Sequence, residues 1–197
     1  MEWKVRRLKY NIVSIIASLK LDLEIDLIKL REFLHVRNYS RQPHFLAFRL
    51  PQIKSTILIY KRGTITFAGL KRFSDLSKVK QAVLSKLREF GLTVPSHPSL
   101  RIGNIVAIAD AGKRLDIEGL SKSRETKQME YNPEIFPGLI YRKPESTLVL
   151  IVFGSGKIVL TGAKSVSDIK DGLSEIQKLF SPVYETNWSP NTSGDAD

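Results

Sequence analysis

The chain has 197 residues, enough for one or two small domains. Its 42% hydrophobic and 26% charged residues exclude a disordered chain, and the lack of any cysteine excludes disulfide scaffolds and thiolate metal sites. The net charge of +11 sits in one half: residues 1–98 carry 19 Lys and Arg against 7 Asp and Glu, while residues 99–197 carry 12 against 13.

In chain order, residues 1–9 form a basic N-terminal segment. Residues 11–19 alternate in a β-branched run that predicts a strand. Residues 22–34 place Leu23, Leu27, Leu30 and Leu34 at helical spacing. Residues 45–50, 54–60 and 64–69 read as three strands, with a hairpin turn at Lys61-Arg62-Gly63. Ser74-Asp75 opens a long helix with Leu76, Val79, Val83, Leu87 and Phe90 on one face, and Gly91 stops it. A second unit follows the same plan and ends in a helix near 167–180, with Ile169, Leu173, Ile176 and Phe180 inward. Residues 186–197 read as a polar, frayed tail.

The two units are copies. Asn11-Ile12-Val13 returns as Asn104-Ile105-Val106, Arg49-Leu50-Pro51 as Arg142-Lys143-Pro144, and Gly69-Leu70-Lys71 as Gly162-Ala163-Lys164, each at an offset of 93. Lys20-Leu21-Asp22 returns as Arg114-Leu115-Asp116 with one extra residue. The repeats span residues 10–98 and 99–185 and imply a pseudo-twofold monomer rather than a solenoid. Consecutive strands with short turns, and helices set apart from them, give an α+β fold around an antiparallel sheet.

The strands are apolar on both faces. In residues 148–153, Val149, Ile151 and Phe153 point one way and Leu148, Leu150 and Val152 the other. Two helices per unit cover one side of the sheet, so the other is a broad apolar surface: a binding face, or one buried in a homodimer. A basic half beside it points to a polyanion, with a solubilising surface as the alternative.

Catalytic chemistry is hard to find. His35, His44 and His97 are the only histidines, and none lies at metal-ligand spacing from another. Gly154-Ser155-Gly156-Lys157 lacks the spacing of a phosphate loop and precedes a strand, so it reads as a hairpin turn. The expectation is a protein with no enzymatic activity, cofactor or metal. No apolar run reaches the ~18–20 residues of a membrane helix, and no signal-length apolar stretch follows Met1.

At residues 131–164 the pattern becomes specific. Tyr131-Asn132-Pro133-Glu134-Ile135-Phe136-Pro137-Gly138-Leu139-Ile140-Tyr141-Arg142 resembles the stirrup and following strand of the TATA-box-binding protein family. Val152-Phe153-Gly154-Ser155-Gly156-Lys157-Ile158-Val159-Leu160-Thr161-Gly162-Ala163-Lys164 resembles its next hairpin. The resemblance covers about residues 10–184 and is stronger in the second repeat.

The resemblance implies a saddle: one curved antiparallel sheet, concave on DNA, with helices on the convex back. It implies a general transcription initiation factor that binds A·T-rich promoter DNA as a monomer, bends it through the minor groove, and recruits transcription factor B and RNA polymerase. The place of work would be the cytoplasmic nucleoid in an archaeon, or the nucleus in a eukaryote. Phe136 and Phe153 fall on the second-repeat wedge positions, and Tyr60 on one first-repeat position. Pro43 stands opposite Phe136 by count, and Phe45 is the nearest ring. Asn11 and Asn104 match asparagines that hydrogen-bond minor-groove acceptors. Val13, Val106 and Val159 match apolar floor contacts; Thr161 matches a base-touching threonine whose repeat partner here is Ala68. Arg49, Arg142, Lys71, Lys157 and Lys164 match phosphate contacts, with Thr64 opposite Lys157. Glu134 and Ile135 match the factor B contact. Lys78, Lys80, Lys86 and Arg88 stud the outer face of the first long helix, where upstream DNA or an acidic partner would meet them. Two other readings stand beside this one: a divergent paralogue that acts on a promoter subset or mainly as a protein-binding platform, and an accessory module of a nucleic-acid enzyme.

Overall fold

In the computed structural model, which describes residues 8–37, 44–50, 53, 55–123 and 128–186, the β-branched runs form nine strands and the periodic segments four helices. The first repeat runs β1 (Tyr10–Lys20), α1 (Leu27–Phe33), β2 (Phe45–Arg49), β3 (Thr56–Tyr60), β4 (Thr64–Leu70) and α2 (Phe73–Glu89). The second runs β5 (Leu100–Asp110), α3 (Ile117–Ser123), β6 (Met129–Glu130), β7 (Gly138–Arg142), β8 (Val149–Phe153), β9 (Lys157–Ala163) and α4 (Val166–Thr186). Most of the expected N-terminal segment 1–9 and of the tail 186–197 lies outside the described residues, as does Pro43.

The strands join one sheet in the order β2-β3-β4-β1-β5-β9-β8-β7-β6. Apart from the extra edge strand β6, the order repeats when read inward from either side: two paired strands, the strand before the long helix, then the long first strand of the repeat. The pairs β2–β3, β3–β4, β7–β8, β6–β7 and β1–β4 are antiparallel, the last although α1, β2 and β3 intervene in the chain.

The chain divides into two compact units. In the unit built on Asn11–Ala107, Ile57, Ile59, Ile65 and Phe67 are fully buried on one sheet face, where Leu76, Val79, Val83 and Leu87 of α2 also lose their exposure. In the unit that includes Ile108–Leu160 and α4, the buried sheet residues are Leu139, Leu148, Leu150, Val152, Ile158 and Leu160, and the α4 residues Ile169, Leu173, Ile176 and Phe180. The helix sits so close that a Cβ on Gly172 would lie 2.6 Å from Leu148 Cδ2. The alternation expected for 148–153 is present: even positions are buried, odd positions half-exposed.

Element ends differ from the sequence reading in places. The helix expected over 22–34 begins only at Leu27, capped by Asp26, whose carboxylate accepts the N–H groups of Ile28 and Lys29 at 3.1 Å. The chain before it is tied to the neighbouring hairpin instead, with Leu21 N–H donating to the Gly63 carbonyl (3.0 Å) and Ile25 N–H to that of Lys61 (2.8 Å). This crossing explains the turn glycines. A Cβ at Gly63 would meet Leu23 O at 2.6 Å, and its φ is +77°. Its repeat partner Gly156 has φ +96° and faces Lys113 O in the same way. Phe90, expected on the inner face of α2, is its half-buried C-cap, with its ring 5.4 Å from that of Phe33.

One polar link fastens α4 to β7. The Tyr141 hydroxyl donates to Glu175, which also pairs with Lys143 Nζ at 3.1 Å. Burial, then the Glu175 carboxylate, push Tyr141 up to about 12. Burial works to raise the Glu175 carboxyl, but the hydrogen bonds from Tyr141 and Lys143 outweigh it and hold that group below its ordinary value.

Replacing Tyr141 by Phe is expected to cost about 1–3 kcal/mol at neutral pH, the worth of a hydrogen bond to a charged group. Because the folded-state value of Tyr141 is raised, its contribution is complete below the ordinary value of 10.0 and is lost as pH rises through about 12. Urea unfolding should therefore show the gap between wild type and variant narrowing as pH rises from neutral to about 11.

Candidate nucleic-acid interface

The face left uncovered by helices is built from the strands' alternate residues. On β5, Ile105, Ala107 and Ala109 are buried, so Asn104, Val106 and Ile108 lie on the open face; Ile108 is 39% exposed. On β9, Val159 and Thr161 are half-exposed between buried Ile158 and Leu160. On β1 the alternation is clean only from Ser14 onward. Ile12 and Val13 are both half-exposed, so Val13 is less cleanly sorted to the open face than Val106.

The structure pairs rings in both repeats. Phe136 and Phe153 have centroids 5.9 Å apart at 63°, and Phe45 and Tyr60 lie 5.7 Å apart at 49°. Phe136, in the loop before β7, is 37% exposed and Phe45, at the start of β2, 44%, at solvent-facing positions with no packing reason to be aromatic. The two pairs are built differently. Phe153 opposes Gly138 across β7–β8, and Tyr60 opposes Phe45 across β2–β3. The offset of 93 thus sets Gly138 against Phe45. In the second repeat the ring comes from the preceding loop and lies over a residue without a side chain: a Cβ on Gly138 would be 2.7 Å from Phe136 Cε1 and 3.2 Å from Phe153 Cε1. In the first repeat the strand residue itself carries the ring. Gly138 was not among the residues singled out from sequence, although its alignment with Phe45 held the signal.

The loop that presents Phe136 is organised by Asn132. Its side-chain oxygen accepts the Glu134 N–H at 3.2 Å, and its carbonyl accepts those of Ile135 (3.1 Å) and Phe136 (2.9 Å). Glu134 is exposed and Ile135 is 82% exposed, the highest figure among the large apolar residues described.

The two asparagines differ. Asn104 Oδ1 accepts the Gly162 N–H at 2.8 Å, and its Nδ2 donates to Thr161 Oγ1 at 3.3 Å. One Nδ2 proton is left over in this fixed orientation. Asn11 is exposed and has no side-chain hydrogen bond among the described residues, consistent with Ala68 standing where Thr161 stands in the second repeat.

The five basic residues matched by resemblance, Arg49, Lys71, Arg142, Lys157 and Lys164, are all exposed. Arg49 Nε reaches Thr56 Oγ1 at 3.4 Å, and Arg142 lies 4.0 Å from Glu130. On α2, Lys80 Nζ donates to the Pro98 carbonyl, Arg88 to that of Pro95, and Lys86 pairs with Glu89. These three cations serve their own fold as well as any partner. Residues 154–156 form the turn between β8 and β9, and Lys157 opens β9. Among the described residues no acidic and histidine side chains gather as a metal site would need, and no helix is long and apolar enough to cross a membrane.

A family model described as transcription factor TFIID, or TATA-binding protein, matches residues 9–90 and 99–182, one stretch per repeat. The chain is 34% identical over 176 residues to the TATA-box-binding protein of Picrophilus torridus, covering 89% of this chain and 96% of that one. It is 38% identical over 177 residues to that of Pyrobaculum islandicum, covering 89% and 86%. The solved structure of Methanococcus jannaschii TBP superposes with a TM-score of 0.79 at 31% identity, covering 88% of this chain and 99% of that one.

Gly138→Ala tests the ring seat. The added methyl has no space beside Phe136 and Ile151 Cγ2, 3.0 Å away, so the Phe136 ring must move. Affinity for TATA-element DNA should fall by about tenfold or more, while the melting temperature shifts by only a few degrees, because the ring is not core. Unchanged affinity would show that the ring's seat does not matter.

Proposed function

This chain belongs to the TATA-binding protein family of general transcription initiation factors, and from that premise we propose that its open sheet face enters the minor groove of an A·T-rich promoter element and bends it. The observation that carries this reading is the pair of aromatic couples, exposed Phe136 with half-exposed Phe153 and exposed Phe45 with half-exposed Tyr60, beside half-exposed Val, Ile and Leu. Flat rings can replace the stacking that a base step loses when it is prised open, and the widened groove then covers the apolar face. The cost of unstacking is offset by that burial.

Asn104 and Asn11 supply donors to adenine N3 or thymine O2, acceptors common to A·T and T·A pairs. Val106 and Val159 supply the floor, with Thr161 holding Asn104 in place, and Val13 adds apolar surface. Arg49, Lys71, Arg142, Lys157 and Lys164 neutralise phosphates, which makes binding fall steeply with salt. Glu134 and Ile135, lifted clear on the Asn132 turn, form the contact for transcription factor B, through which RNA polymerase is recruited. The relatives named above are archaeal, so the working place is the nucleoid of such a cell. A homodimer that buried the open face would compete with this use rather than support it.

Two measurements test the proposal. Phe136→Ala with Phe153→Ala should keep salt-dependent, non-specific DNA binding but lose most bending and TATA preference in a gel-shift and fluorescence-transfer assay. The fold should survive, since Phe136 is exposed and Phe153 half-exposed. Unfolding of this variant would mean that the rings are core. Asn104→Ala should weaken binding by about 1–3 kcal/mol, and equal affinity would remove its base-contact role.

A further inference from the structure

The open face of the first repeat carries two hydroxyls that the proposed function leaves unused. The registers of β3, β4 and β1 put Leu58, Thr66 and Ser18 in one row across three strands. All three are half-exposed, while Ile65 and Phe67 beside Thr66 and Ala17 and Leu19 beside Ser18 are buried, so the row lies on the uncovered face. Thr66 and Ser18 oppose each other directly, and neither side chain has a hydrogen-bond partner among the described residues. The offset of 93 puts Ile151 and Val159 where Leu58 and Thr66 stand. The corresponding residues of the second repeat are therefore apolar, and its nearby hydroxyl, Thr161, is already bonded to Asn104.

The chemistry of the minor groove gives this difference a consequence. A·T and T·A pairs expose only acceptors there, and a G·C pair adds one donor, the guanine N2 amino group. Against a floor of Val and Ile that donor loses its water and finds no acceptor, so the pair is rejected. A hydroxyl rotor suits both cases: it donates to adenine N3 or thymine O2, and it accepts from guanine N2. We infer that Thr66, seconded by Ser18, lets the first repeat accept a G·C pair where the second repeat rejects one, so that the preferred element is A·T-only in one half and mixed in the other. The inference rests on the reading that the open face meets the minor groove, and the experiment below separates the two.

The full chain is titrated against duplexes in which each base pair of an A·T element is replaced in turn by G·C or by inosine·C, which lacks the N2 amino group. In one half, G·C should bind about tenfold more weakly than inosine·C; in the other, at least one position should show less than about a threefold difference. Thr66→Val, nearly isosteric at a half-exposed site, should keep the melting temperature while imposing the tenfold G·C-against-inosine·C penalty, read as a ratio within the variant itself, at the tolerant position. Val159→Thr should relax the penalty in the other half. Equal G·C penalties in both halves of the wild type, or tolerance that survives Thr66→Val combined with Ser18→Ala, would overturn the inference and leave the minor-groove reading standing. Failure of the wild type to bind the A·T duplex, or equal losses with inosine·C and G·C at every position, would overturn the minor-groove reading and the inference with it.

Discussion

A sheet whose strands are apolar on both sides, but which has helices for only one of them, must leave a large apolar surface in water. Every strand in which the alternation is clean shows this: Leu148, Leu150 and Val152 vanish under α4 while Val149, Ile151 and Phe153 remain half-exposed. Such a face costs solubility and is retained when something covers it in use. Phe45 in one unit and Phe136 in the other keep their rings exposed, and the Asn104 amide on the open side of β5 is held in one orientation. Under the proposed function the cover is promoter DNA, whose minor groove presents only acceptors at A·T pairs.

The repeats solve the same problem with different residues. In the second, a loop ring is seated over Gly138, and an asparagine is locked by Thr161 and the Gly162 N–H. In the first, the strand residue Phe45 carries the ring, Asn11 is free of such a lock, and the hydroxyl sits at Thr66 rather than at 68. The two ring pairs nevertheless reach nearly the same spacing, 5.7 and 5.9 Å. A ring attached directly to a strand does not need a preceding loop to present it. A pseudo-twofold protein with unlike halves can mark the direction of a nearly symmetric element.

Much of this was legible in the sequence because repetition and pleat both leave period signals. The constant offset exposes the two copies, and the apolar residues at both odd and even positions of 148–153 mark both faces of that strand as apolar. Other features carried no such signal. Leu23, Leu27, Leu30 and Leu34 have helical spacing, yet the chain through Ile25 is not helical because the N–H groups of Leu21 and Ile25 bond the hairpin at 61–63, a long-range partner that local periodicity does not contain. The strand β6 spans only Met129–Glu130 and is too short for any period. The amide of Asn132 shapes the turn that displays Ile135 through hydrogen bonds that no residue period encodes. Gly138 gains its meaning from an aromatic ring two residues away, visible only when the repeats are laid over one another.

The central claim is that the half-exposed apolar face is buried when DNA binds. Calorimetric titration of the whole chain with an A·T-element duplex at several temperatures measures this through the heat-capacity change, the most direct marker of apolar burial. A strongly negative heat-capacity change for the A·T element, much larger than that for a G·C-rich duplex of equal length and charge, is the predicted result. A value near zero for both duplexes, with affinity governed by salt alone, would show that the protein holds DNA by its cations and that the open face lies elsewhere.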